Sequence, residues 1–365
     1  MPVRNAKGGI TQYALRNWEY ICKAKFHFDW VTLDSELSFE KELIKQGCKV
    51  YHISSRQEED EARFKSEMEE ILTSSYSYDA IHLHTSFWRG FLAEELAIKA
   101  KVPRIIVHAH STGVDVINYG ERTRLMQAHN EWRQKFSMSL ATHFTACSAA
   151  AANFLFGPQI PRERITILKN AIDINRFAYN ADIRSEIRLS MGLNGKFVVL
   201  QTGRLVYQKN HSFTLEVFAQ FSKHFTNAIL LFAGDGSLCD SLHSEADEYG
   251  ISDKVYFLGF RNDIPQLLHA ADILVMPSRF EGLGIAAIEA QCSGIFCLLS
   301  EHVPVETVVV SSSAIRMKLD VNLWSSKISD IARNGYYRSD CSTVVAMAGY
   351  SLRDQVNVLE KIYAG

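Results

Sequence analysis

Short apolar runs alternate with amphipathic stretches along most of the chain. In the first half the runs are HFDWVTL (27–33), CKVYHI (48–53), DAIHLHT (79–85), RIIVHAH (104–110), ATHFTAC (141–147) and ITILKN (165–170). Stretches 36–46, 60–73 and 88–101 between them carry apolar positions at helical spacing. Strands alternating with helices predict a mostly parallel sheet with helices on both faces. The pattern then resets. A charged, irregular stretch over 173–195 ends in GLNGK, a turn signal. A second series follows: KFVVLQTG (196–203), NAILLFAG (227–234), KVYFLG (254–259), DILVMP (272–277) and IFCLLS (295–300). The expectation is α/β, with two doubly wound domains and a boundary at 175–190. Ligands of such sheets bind at the carboxyl ends of the strands, and a cleft between domains is a favoured place.

The loops at those strand ends are where chemistry is sought. RFEGLG (279–284) lies between a buried strand and AAIEAQC, a run of good helix formers. Gly282 and Gly284 permit close backbone approach by a ligand, and the first-turn amides of the following helix make an anion site. Diphosphate is the obvious candidate. Glu281 and Glu289, eight positions apart, then suit sugar hydroxyls, Glu289 as a ribose ligand. The competing reading makes one a solvated loop residue and the other a helix-surface charge. In QTGRLVYQKNH (201–211), Arg204 and Lys209 could neutralise a departing diphosphate, or be ordinary surface cations. AGDGS (233–237) and LGFRND (258–263) are weaker signals alone. All four loops belong on one edge of one sheet, which is the stronger signal.

Composition narrows the class. A chain of 365 residues, 47% hydrophobic and 22% charged, has room for two ordinary cores. A formal net charge of −2 argues against nucleic-acid binding through a bulk positive field. Seven cysteines without a C-x-x-C or a zinc spacing read as reduced thiols. No apolar run approaches a membrane span, and MPVRNAKGG lacks the core of a signal peptide. The expected location is cytoplasmic.

GRLVYQKN, LLFAGDG, KNAIDINRF and VYFLGFRNDIPQLLHAADILVMPSRFEGLGIAAIEAQCSG closely resemble the retaining glycosyltransferases of family 4, which have the GT-B fold. GGITQY, FDWVTL, YDAIHLHTS, HAHST, ATHFTACS and AGYSLRDQVNVLEKIY extend the likeness over nearly the whole chain. The nearest subgroup is similar to bacterial exopolysaccharide and capsule enzymes. The resemblance implies two Rossmann-like domains facing a central cleft. An acceptor-side domain would cover 1–180 and a nucleotide-sugar domain 181–345, with a helix in 346–365 packing back on the first. It implies that Arg204 and Lys209 clamp the donor diphosphate and that Glu281 binds the transferred sugar. Backbone amides at Leu283 and Gly284 would add phosphate contacts, Glu289 would hold the ribose, and the main chain at Phe260 and Arg261 would meet the base. Gly8 and Gly9 match the family's glycine loop toward the donor phosphates. His110 matches a strand-end histidine facing the sugar and acceptor. The implied reaction moves a sugar from a nucleotide-sugar, a UDP-sugar in first place, to a saccharide or lipid-linked acceptor. No cofactor and no metal are expected, because GT-B enzymes use side chains and helix dipoles where other transferases use a divalent ion.

Three further stretches bear on that expectation. H-x-H places His82 and His84 on one strand face, a spacing that can suit metals. With no carboxylate cluster to complete a site, they and His108 are read as core residues. Family chains open with an apolar strand before the glycine loop, whereas MPVRNAK is short and polar. A missing first strand would leave its neighbours unpaired, and a start upstream of Met1 or a truncation is expected. Residues 121–136 form a helical pattern with Arg122, Arg124, Arg133 and Lys135 beside Trp132. It could rest on an anionic membrane, although Glu121 and Glu131 dilute the charge and favour an ordinary surface helix. Two rival functions remain: a hydrolysing nucleotide-sugar epimerase and a non-catalytic sugar-nucleotide-binding subunit.

Overall fold

A computed structural model describes residues 8–74 and 77–365. The chain divides into two compact units. One runs up to Val114 and takes in Asn118–Asn170 and Leu352–Gly365; the other comprises Asp115–Ile117 and Ala171–Ser351.

Among the described residues the first unit holds two parallel sheets. Strands β1 (Trp30–Thr32) and β2 (Val50–His52) pair with each other. Strands β3 (Ala80–Thr85), β4 (Arg104–Ala109), β5 (His143–Ala146) and β6 (Ile165–Ile167) form a separate sheet in that order. Among the described residues no ladder joins β1 to β3. The segment MPVRNAK, judged too polar for a strand, lies outside the described residues. Trp18 packs edge-on against Trp30 over Leu37, Leu43 and Cys48, the small core beneath β1 and β2. The helix Leu352–Ala364 belongs to this unit: Gln355 Nε2 donates to Asn17 Oδ1 at 2.6 Å, and Glu360 Oε1 accepts from the Cys22 amide at 2.8 Å.

The second unit is one sheet of six parallel strands. They are β7 (Phe197–Thr202), β8 (Ala228–Ala233), β9 (Val255–Phe257), β10 (Ile273–Met276), β11 (Phe296–Ser300) and β12 (Ala314–Met317), in the order β12-β11-β10-β7-β8-β9. Every residue of β8, β10 and β11 is buried, because helices cover both faces. Leu215, Phe218 and Phe221 of the helix His211–Ser222 meet Trp324 and Ile328 of the helix Val321–Asn334 in one core.

Two elements depart from the sequence reading. The charged stretch 173–195 is not irregular: it forms the helices Ile174–Phe177 and Ala181–Ser190, capped by Asp173 and Asn180. Its arginines are structural. Arg184 and Arg188 both pair with Asp272, and Arg184 Nη1 also donates to the carbonyls of His269, Ala270 and Ala271. Charge there serves helix ends rather than solvent, which hides the helical period. Strand β12, an edge strand containing Arg316, was also not foreseen. The basic helix is Tyr119–Lys135; its Trp132 is half-buried, edge-on to Phe91, with Lys135 over its ring.

Candidate functional site

The order of the second sheet fixes where a ligand site belongs. From β7 the chain proceeds to β8 and β9 on one side, then returns to β10, β11 and β12 on the other. The reversal lies between β7 and β10, and the crevice at such a point is the ligand site of open α/β sheets. The loops leaving these two strands carry GRLVYQKN and SRFEGLG.

Their side chains meet. Lys209 Nζ lies 2.6 Å from Glu281 Oε1 in a largely buried ion pair. Ser278 Oγ donates to the same oxygen at 2.7 Å, and Gln208 Nε2 donates to Oε2 at 3.3 Å and to the Phe280 carbonyl at 3.0 Å. Backbone reinforces the junction: the Arg279 amide donates to the Gln208 carbonyl at 2.8 Å, and Asn210 Nδ2 to the Pro277 carbonyl at 3.1 Å. Asn210 adopts the left-handed conformation that turns the loop into the helix His211–Ser222. Gln201 holds that turn, donating to the Lys209 carbonyl at 2.8 Å and accepting from Thr214 Oγ1 at 2.7 Å.

Arg204 is half-exposed and paired with Asp115, Nη2 to Oδ2 at 3.1 Å. The other oxygen of Asp115 accepts from the Gln208 amide at 3.0 Å. Each loop cation therefore has a carboxylate partner of its own. Two glycines keep the neighbouring backbone close: a Cβ on Gly234 would stand 1.9 Å from the Gly203 carbonyl oxygen, and one on Gly236 2.3 Å from that of Leu205.

The remaining predicted residues are distributed around this junction. Gly284, at φ +89°, caps the helix Ile285–Cys292, and its carbonyl accepts from the Ala287 amide at 3.0 Å. Leu283 is buried, and its carbonyl accepts from Thr307 Oγ1. Glu289 lies inside that helix and is only 5% exposed, so it is not a helix-surface charge. Glu281 is equally buried and is not a solvated loop residue. Arg261 pairs with Asp263 in the loop after β9, and its hydrogen bond to that carboxylate raises its pKa. That loop adjoins the β8 loop through a bridge between Gly234 and Gly259.

Gly8, Gly9 and His110 belong to the first unit. Gly8 caps the helix Gly9–Tyr20, and a Cβ on either glycine would meet nothing within 4 Å among the described residues. His110 Nε2 lies 2.9 Å from His84 Nδ1, its ring stacked on His108. Burial, with the neighbouring His82 ring, lowers its pKa well below the ordinary value.

Sequence reasoning missed Asp115, Gln208 and Ser278 as parts of the junction. Gln208 and Ser278 stand inside the quoted motifs. Asp115 carries no local signal, because it is distant in sequence from every residue it serves.

Residues 7–176 match the family model Glycosyltransferase Family 4, and residues 184–342 match Glycosyl transferases group 1. The chain belongs to the GT-B glycosyltransferases of the family 4 type. This glycosyltransferase is 27% identical over 364 residues to EpsF of Bacillus subtilis, which is also named a glycosyltransferase; the match covers 98% of this chain and 93% of EpsF. It is 26% identical to the Escherichia coli UDP-Gal:alpha-D-GlcNAc-diphosphoundecaprenol alpha-1,3-galactosyltransferase, over 63% of this chain and 59% of that one. In fold it is similar to Anabaena HepE, solved with UDP and glucose: TM-score 0.77, 16% identity, 98% of this chain and 96% of HepE covered.

Proposed function

We propose that the enzyme is a retaining glycosyltransferase. It moves a sugar from a nucleotide-sugar, UDP-linked in first place, to a saccharide or lipid-linked acceptor in surface polysaccharide biosynthesis. The observation that carries the proposal is the Lys209–Glu281–Ser278–Gln208 junction at the switch point of the nucleotide-binding type of sheet. A carboxylate already accepting three hydrogen bonds is a poor nucleophile. It remains a good acceptor for sugar hydroxyls. Lys209 directs one of its three N–H donors at Glu281, leaving two for phosphate. Arg204 and the amides at Leu283 and Gly284 supply further donors, so charge developing on the departing diphosphate is met without a metal ion. Attack on the face the diphosphate leaves, with the phosphate assisting removal of the acceptor's proton, then needs no covalent intermediate.

Buried Glu289 is proposed as the ribose ligand and the loop at Phe260 and Arg261 as the base contact. Gly8, Gly9 and His110 are proposed to serve phosphate, sugar and acceptor recognition. The UDP donor is supported by the Escherichia coli relative's name and by the UDP bound to HepE. The lipid-linked acceptor rests on the diphosphoundecaprenol in that relative's name, and peripheral membrane contact is proposed with it. No helix among the described residues is long and apolar enough to cross a membrane.

The test is product analysis with a panel of UDP-sugars, with and without saccharide and prenyl-diphosphate-linked acceptors. The expected product is an acceptor-dependent glycoside with the anomeric configuration of the donor. An inverted product contradicts retention. Conversion of the donor without any acceptor points instead to the epimerase.

A further inference from the structure

The histidines of β3 and β4, read from sequence as core residues, are brought together by the parallel register. His84 lies opposite His108, and His82, His84, His108 and His110 share one face. His82 Nε2 lies 3.2 Å from His108 Nδ1, with the two rings 11° from coplanar. One ligand nitrogen from each of His82, His84 and His108 falls within 4.8 Å of the other two. An ion about 2.0–2.1 Å from each nitrogen, the usual zinc–imidazole length, would replace the His82–His108 hydrogen bond and draw the three rings inward, since two such bonds span at most about 4.2 Å.

The surroundings point the same way. His84 and His108 are buried and His82 is partly so. His108 is fully buried, yet its Nε2 meets no hydrogen-bond partner among the described residues. The hydroxyl of Tyr13, whose ring stands edge-on to His84, His108 and His110, also lacks one among them. Orphaned buried polar atoms are rare in native proteins, and an ion held through His108 Nε2, in place of its Nδ1, would satisfy that one. Tyr363 Oη, 2.6 Å from His82 Nδ1, supplies the outer contact that orients a ligating imidazole.

We propose that His82, His84 and His108 form a binding site for a borderline first-row divalent ion, zinc or a near neighbour. Three nitrogens and no carboxylate disfavour magnesium and calcium, so the site differs in chemistry from the metal-free donor handling proposed above. Because His84 touches His110, an occupied site would fix the ring of His110. The metal site does not depend on the proposed reaction, and its readout is metal affinity.

The experiment titrates the EDTA-stripped full chain with zinc chloride by calorimetry and with cobalt(II) by visible absorption. The expected result is one equivalent of zinc bound, strong visible bands of tetrahedral cobalt, and no comparable binding of magnesium. His82→Gln and His108→Asn should each weaken zinc binding at least about tenfold while the chain still melts cooperatively. Absence of a one-equivalent zinc site, or unchanged affinity in both variants, overturns the proposal. Should a variant fail to fold, the wild-type cobalt spectrum decides: weak octahedral bands or none overturn it equally.

Discussion

Lys209 and Glu281 of the second unit are buried as opposite charges in contact, whereas the histidines of β3 and β4 in the first unit are buried as neutral rings. Both arrangements satisfy the rule that interiors admit charge only when paired, and they satisfy it differently. A paired lysine keeps further N–H donors, and the second cluster is proposed to receive an anion through them. A neutral imidazole is vulnerable to protons and open to metals, and the first cluster is proposed to respond to both.

The largest expected effect separates the two loop cations. Arg204→Ala should cut transfer roughly 10²–10³-fold, the usual worth of a donor aimed at developing charge. Its melting temperature should barely move, because exposed pairs contribute little. Lys209→Ala should lose as much activity and in addition about 3 kcal/mol of stability, because Glu281 would remain buried without its cation. Steady-state kinetics and denaturant unfolding measure both. Equal stability loss in the two variants would erase the distinction between an exchangeable surface cation and a structural one.

Next in size is the pH response of the neutral cluster. The folded-state pKa values of His84, His108 and His211 lie below the ordinary value near 6.5, by burial in each case. The unfolded chain then takes up protons that the folded one refuses. Their stabilisation is complete above pH ~6.5 and is lost as pH falls below it toward the folded values, at about 1.4 kcal/mol per pH unit for each group. Unfolding midpoints between pH 7 and 5 should fall accordingly. A flat profile would show that the rings protonate freely in the fold.

Smaller effects come from the glycines. Gly234→Ala should destabilise by about 1–3 kcal/mol, since its Cβ would strike the Gly203 carbonyl. Gly9→Ala begins a helix where a Cβ meets nothing among the described residues, and should leave stability unchanged or raise it by up to about 1 kcal/mol. Activity assays then isolate function: reduced transfer in a Gly9→Ala protein that folds well would mark ligand approach rather than packing.

Much of this was legible in sequence because parallel strands buried on both faces read as continuous apolar runs. NAILLFAG and DILVMP mark β8 and β10, and the loops after them follow by position. The E-x7-E and G-R-x4-K-N motifs located the junction because each lies within one strand-loop-helix segment. What stayed hidden was contact across sequence. Asp115 meets Arg204 from 89 positions away, and the histidine cluster exists only through the register of β3 on β4. The helix Ala181–Ser190 was missed because Arg184 and Arg188 are committed to Asp272 and to carbonyls, so polar residues sit where a helical period expects apolar ones.

The β7–β10 junction is proposed to hold a nucleoside diphosphate through its cations without a metal. The most direct measurement is the melting temperature of the wild-type chain and of Arg204→Ala in EDTA, with UDP, GDP and ADP in turn. Binding to the folded state alone raises the midpoint in proportion to affinity. The expected result is a saturable rise with UDP that survives EDTA and shrinks in Arg204→Ala. No rise with any nucleotide in a cooperatively melting wild-type chain, or an equal rise in the variant, would contradict it.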